Sequence, residues 1–441
     1  MKLMTTTALV AAFALPAMAE QTDITQTIEG LQEALNSIEI ADDATDVAQT
    51  AVNAANLISL EDNLDDVLQD ADLDDGNEGI DFEQVASNVL DSGPASFNSA
   101  DLSGVTQDAT NVLNSIGGVG EDGGLPDVNT LYQDADEVVQ DAFNDIELSG
   151  PATSEDISQA ATNALNLATL EDVNGVNSIG AAFEMQQDGD DIFQSAYNEL
   201  DIRDGITDTN TDDVLQSTQD ATNVINMADI SEDLNGTLLQ ELTDSDQSAA
   251  NVAHDTRRNA EINDLLQAAT NIANVLTVGG VATDAIEQNY EDSVQDASNY
   301  VEFRDLGLSG EEPKLDDMGE LADVIDQTAL NGINIAEVAL PEGTIAQFSL
   351  GSDQTATNVA ENGSWYTSID ADIDNFGQSA TNVANILSVG ALPDLAGASD
   401  LTQTFDGVQF SSNAIFHADD LSMVTQATTN VANSISTITG E

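Results

Sequence analysis

Cysteine is absent from the 441-residue chain. That excludes disulfides, a lipid-attachment cysteine and every thiolate metal site. Strong bases are nearly absent as well: six Lys and Arg stand against 82 Asp and Glu, a formal charge of −76. Such a field repels nucleic acid and anionic lipid and suits cations. Aromatics make up 4% of the chain, so a large globular core is hard to build. Apolar residues still reach 41%, more than a disordered acidic tail carries. A thin, repeated core fits both values. No later stretch holds 18 consecutive apolar residues, so no transmembrane helix and no membrane insertion are expected.

The first residues read MKLMTTTALVAAFALPAMAEQ. Lys2, an apolar run and the small-residue site Ala17-Met18-Ala19 form a secretory signal peptide over 1–19. Its removal takes away Lys2 and no acid, leaving about −77 on 20–441. The expected location is extracellular or cell-surface, with the periplasm as the route. The remaining strong bases are Arg203, Arg257, Arg258, Arg304 and Lys314. The two histidines, His254 and His417, have no Ser or acid partner at a recognisable catalytic spacing and read as loop or surface residues. Carboxylate pairs occur everywhere, so none stands out as an acid–base couple. No enzyme is expected.

What the chain does have is a repeat. The phrase Gln-x-(Ala/Ser/Thr)-x-Asn occurs sixteen times, with Gln at 32, 49, 84, 107, 140, 159, 194, 219, 247, 267, 295, 327, 354, 378, 409 and 426. Taken in pairs, the step from one pair to the next runs 52, 56, 54, 53, 48, 59 and 55 residues. The unit is thus about 54 residues, present eight times, with two copies in each. Seven residues after Gln the second copy always has Asn: 56, 114, 166, 226, 274, 334, 385 and 433. The first copy mostly has an acid there, with His254 and Phe416 as exceptions. A third element precedes most first copies by six to eight residues, reading DITQ, TLYQ, FEMQ, TLLQ, AIEQ, TIAQ or DLTQ. All seven Pro lie outside the repeated cores. Residues 20–441 therefore read as one continuous acidic array.

Both helical and strand periods fit LLQAATNIANVL at 265–276. Fixed Gln and Asn separate them. On a helix nothing demands both. In a stacked β-coil they point inward and meet their own kind from the next coil, about 4.8 Å away. Amides carry donors and acceptors, so each column satisfies itself. The expected fold is all-β, a β-solenoid of about eight units with two Gln-x-Ala-x-Asn strands in each; an all-α helical repeat is the alternative. The expected structural ladder is Gln49, Asn53, Gln107, Asn111, Gln159, Asn163, Gln219, Asn223, Gln267, Asn271, Gln378, Asn382, Gln426 and Asn430.

The stretch ADLSGVTQDATNVLNSI, with Ser103, Val105, Gln107 and Asn111, resembles the repeat phrase of bacterial curlins, the subunits of curli fibres. Asn stands four after Gln where curlins have five, Ala stands where they have Gly, and the unit is about twice as long. The resemblance implies an exported fibre or biofilm-matrix protein that self-associates through its ladders, with cell adhesion and other surface components as partners. A second reading is a monomeric acidic protein that holds Ca²⁺ or other cations at the surface or in the periplasm. Residues 70–84, DADLDDGNEGIDFEQ, approach a calcium loop, but Glu78 stands where Gly is needed and Gln84 where a bidentate acid belongs. Weak, collective Ca²⁺ binding is expected at Asp70, Asp72, Asp74, Asp75 and Asp81, with Asp188, Asp190 and Asp191 as further candidates.

Overall fold

The computed structural model describes residues 23–40, 43–60, 64–71, 82–92, 101–119, 128–149, 154–171, 183–203, 213–231, 233–256, 261–303, 314–315, 325–362, 372–390, 400–416 and 420–437. Within them the repeats are strands, and no helix occurs among the described residues. The helical alternative is set aside. The two His readings diverge in outcome. His254 lies inside the strand Asp246–Thr256, not in a loop, and His417 lies outside the described residues. The signal-peptide stretch 1–19 also lies outside them.

Each unit supplies three strands, one more than the repeat phrase predicts. In the third unit these are a lead strand Val128–Asp136, a first strand Val138–Ser149 and a second strand Ser154–Glu171. Every pairing runs parallel, from one coil to the same strand of the next. Lead and first strands of all units share one sheet, and second strands form the other. In the seventh and eighth units lead and first strand merge, into Ile345–Asn362 and Leu401–Phe416, and the former ties the two halves of the first sheet together.

Parity sets the faces. Gln, the residue two on, Asn and the residue six on point inward, and the odd positions point out. In Phe82–Asp91 burial alternates residue by residue without a break. The two sheets face each other across four apolar strips that run along the stack. One strip consists of fourteen alanines, the residues two after Gln, drawn from both sheets. Larger residues fill the flanks, such as Leu90, Ile146 and Ile157 on one side and Leu113, Leu165 and Ile225 on the other. Ala lets the sheets approach closely enough for the amides beside it to reach the opposite backbone. That is why Ala is held so strictly at this position; only in the last coil do Ser411 and Thr428 take its place.

The corners are left-handed. Asn56, Asn114, Asn166, Asn226, Asn274, Asn334, Asn385 and Asn433 all have φ between 49° and 55°. Asn tolerates this region better than other side chains with a Cβ. This is the physical reason for an invariant Asn seven after the second Gln. It bends the second strand, so its far half can cover the lead strand. A second corner, between lead and first strand, uses Glu137, Asp191, Asp244 and Asp292 at φ of 46–50°.

Candidate functional site

The repeated amides form the most ordered chemistry in the molecule. Gln stacks on Gln through the second strands: Gln107 Nε2 donates to Gln49 Oε1 at 2.9 Å, and the same bond recurs from Gln159, Gln219, Gln267, Gln327, Gln378 and Gln426 to the Gln one coil before. Asn stacks in the opposite sense. Asn53 Nδ2 donates to Asn111 Oδ1 at 3.0 Å, and so on through Asn163, Asn223, Asn271, Asn331 and Asn382 to Asn430. All fourteen expected ladder residues therefore sit in two columns. They are buried except in the last coil, where Gln426 and Asn430 are exposed.

In the inner coils each of these amides spends its second hydrogen across the core. Gln107 donates to the carbonyl of Asp145 at 3.1 Å, and Asn111 to that of Asp141 at 2.8 Å. From the other side, Asn144 reaches the carbonyl of Ala160 at 2.6 Å and Gln140 that of Ala164 at 3.2 Å. Each such inner amide thus locks two coils and two sheets at once. A buried amide without such partners costs about 1–3 kcal/mol.

A third Gln column runs through the lead strands: Gln26, Gln69, Gln133, Gln187, Gln240, Gln288, Gln347 and Gln403. Its members also donate to the carbonyl of the left-handed Asn, as Gln133 does to Asn114 at 2.6 Å. Six of the seven tetrapeptides in the sequence mark this column, while FEMQ ends on Gln186, one residue before the column's Gln187. They omit Gln69, because DVLQ stands fifteen residues before Gln84 instead of six or seven. The acidic stretch 72–81 is inserted between them.

Outside, the carboxylates line up. Asp70, Asp134, Asp188 and Glu241 occupy one register position on successive coils. Partial burial, then Glu241, push the Asp188 carboxyl up; burial, then Glu291, raise Glu241. Asp136, Asp190 and Asp191 bring carboxylate oxygens within 4.8 Å of one another. Of the Ca²⁺ candidates, Asp190 and Asp191 are thus brought together, while Asp70 and Asp188 lie in the adjacent column. Asp72, Asp74, Asp75 and Asp81 lie outside the described residues. A second column, seven after the first Gln, runs Glu39, Asp91, Glu147, Asp201, His254, Glu302, Glu361 and Phe416. His254 Nδ1 lies 3.3 Å from Glu302 Oε2 in this column. Asp145, next to it, is pushed up to about 6 by burial first, then by Glu199, Glu147 and other acids.

No protein-family profile, no curated protein and no solved structure matches this chain.

Proposed function

We propose that this chain is an exported structural protein whose copies stack end to end into extracellular fibres of the curlin kind. One observation carries the reading. The ladders have direction, and their two ends are complementary. Gln donors point toward the first coil and Asn donors toward the last. Among the described residues the last coil offers Asn413, Asn430 and Asn433 with no further Asn to donate to, and Gln403, Gln409 and Gln426 with no further Gln donating to them. The first coil offers the reverse at Asn36, Asn53, Asn56, Gln26, Gln32 and Gln49. A second copy placed head to tail would continue all six columns. Two copies placed tail to tail would run their edge strands antiparallel and could not continue the parallel, in-register columns. Open parallel edges recruit strands, and a heterologous contact that does not close grows into a filament.

Electron microscopy and thioflavin fluorescence of the 20–441 chain test this. Concentration-dependent, seedable fibres are expected, and Asn430→Leu with Asn433→Leu should slow elongation at least about tenfold by leaving the facing amides unpaired. A wild-type chain that stays monomeric at high concentration sinks the reading. The close approach of Asp136, Asp190 and Asp191 favours a second reading, a monomeric cation binder. Calorimetric titration with CaCl₂ decides it: saturable binding by the monomer, lost in Asp190→Asn, supports it.

A further inference from the structure

The two outer faces of the solenoid differ in charge far more than the composition requires. On the second-strand sheet the outward positions are those one before Gln and one, three, five, eight and ten after it. That makes forty-eight positions, six on each of eight coils. Only Asp108, Asp220, Asp229, Asp326 and Glu337 among them are charged. On the other sheet forty outward positions of the first strands (one before Gln and one, three, five and seven after) hold fourteen carboxylates. In a chain with 82 acids, this face is sparsely charged beside the other.

What stands there instead is small, β-branched and regular. Three after Gln the column is Thr in six of eight coils, and five after Gln it is Val, Ile, Ala or Gly throughout. Two of the five acids accept a hydrogen bond from a threonine on the same outer face: Thr110 Oγ1 donates to Asp108 at 2.8 Å and Thr222 Oγ1 to Asp220 at 2.9 Å. Leu57, Met227 and Leu266 are exposed on this face by 41%, 37% and 46%.

We propose that this face is a lateral interface, and that its occupant is the same face of a second copy. Three features select that partner. A cationic partner would be drawn to the carboxylate columns of the other sheet, not to the face that lacks them. A second copy carries the same ribs at the same spacing of about 4.8 Å, so its Thr and Val columns can lie between those of the first. The area is also adequate. Eight coils span about 38 Å and the outward run about 25 Å, or roughly 900 Å² per copy, against about 800 Å² per partner in stable complexes. Such a contact is self-complementary and closes at two, with both carboxylate faces turned to water. It does not depend on end-to-end stacking.

The test uses the 20–441 chain and two matched variants. Thr162→Glu, Thr270→Glu and Thr381→Glu together charge the sparsely charged face on alternate coils. Ser87→Glu, Ala250→Glu and Thr357→Glu place three charges on the opposite face, on the second, fifth and seventh coils. Circular dichroism checks the fold, sedimentation equilibrium gives the mass, and cryo-electron microscopy gives the width of any fibre. Wild type and the second variant should be built of paired solenoids, and the first variant should fall to half the mass or width. Wild-type fibres one solenoid wide would overturn the lateral interface and leave end-to-end stacking standing. Discrete dimers without fibres would do the opposite. If the first variant does not fold, the wild-type mass and width still decide. Equal loss of pairing in both folded variants would also overturn the proposal.

Discussion

Asn223 and Asn226 lie three residues apart in one strand and make nearly the same bonds, yet they should respond oppositely to glycine. Asn223 donates to Ser248 O at 2.7 Å and to Asn271 Oδ1 at 2.9 Å, and accepts from Asn163 at 2.9 Å. Asn226 donates to Glu241 O at 2.7 Å and to Asn274 Oδ1 at 3.0 Å, and accepts from Asn166 at 3.0 Å. Both are fully buried. Truncation of either removes three bonds and strands three partners, a loss on the order of 3–6 kcal/mol. That loss is common to Ala and Gly, so it cancels when the two are compared. What remains is backbone. Asn226 sits at φ 55°, where a Cβ costs about 1–2 kcal/mol. Asn223 is extended, where Gly is worse than Ala by about 0.5–1 kcal/mol. Asn226→Gly should therefore be more stable than Asn226→Ala by roughly 1 kcal/mol, and Asn223→Gly less stable than Asn223→Ala by a similar amount. Urea midpoints of the four variants, followed by circular dichroism under one set of conditions, give the ranking. The same order at both sites would refute the left-handed corner as the reason for the Asn column.

Other outcomes follow from the core and the acid columns. Asp145 has its folded value raised to about 6, above an unfolded value of about 3.9. The folded state therefore binds the proton more tightly, so stability should rise as pH falls from above 6 toward 4. Asp145→Asn should raise the melting temperature at pH 7 and flatten that slope; a slope of the opposite sign counts against the buried acid. Ala221→Leu overfills the alanine strip between the sheets and should cost at least about 1–3 kcal/mol. Ala221→Ser should be tolerated, since Ser411 and Thr428 occupy the same place in the last coil. Gly343→Ala sets a Cβ against the carbonyl of Asp284, and a lowered melting temperature is expected because backbone, not a side chain, must move.

The architecture was legible because its constraint is chemical and repeats. Gln, Ala and Asn recur at one spacing, and each turned out to hold one place: an amide rung, the close approach of two sheets, and a second rung. The invariant Asn seven after Gln was visible as a pattern, but its role was not, since a left-handed backbone leaves no trace in side-chain periodicity. The lead strand showed as a weaker motif for a similar reason. It carries one Gln without a following Asn, and at Gln69 an insertion carries it away from its first strand. The contrast between the two outer faces could not be read from composition. Which odd-numbered residues share a face depends on which strands share a sheet, and that is a property of the coil, not of the phrase.

The ladders also explain how a chain with so few large apolar residues keeps its register. A slip of one residue between coils turns every side chain to the wrong face, which parity alone forbids. A slip of two keeps parity and would set Gln219 against alanine. Burial by itself hardly resists it, because both faces of the strip stay covered. The amides do resist it: each second strand would lose the coil-to-coil partners of its Gln and two Asn, at about 1–3 kcal/mol for each stranded group. A slip of four is subtler, because it sets Gln219 beside Asn163 and one amide can still meet another. The left-handed Asn closes that escape. Leu165 pairs with Ile225 and Leu167 with Met227, while Asn166 and Asn226 step out of the ladder together. A bend in one coil needs a bend at the same place in the next. Polar residues thus set the register that a sparse apolar core leaves open, and the segments between strands are free to vary, the unit running from 48 to 59 residues, without disturbing it.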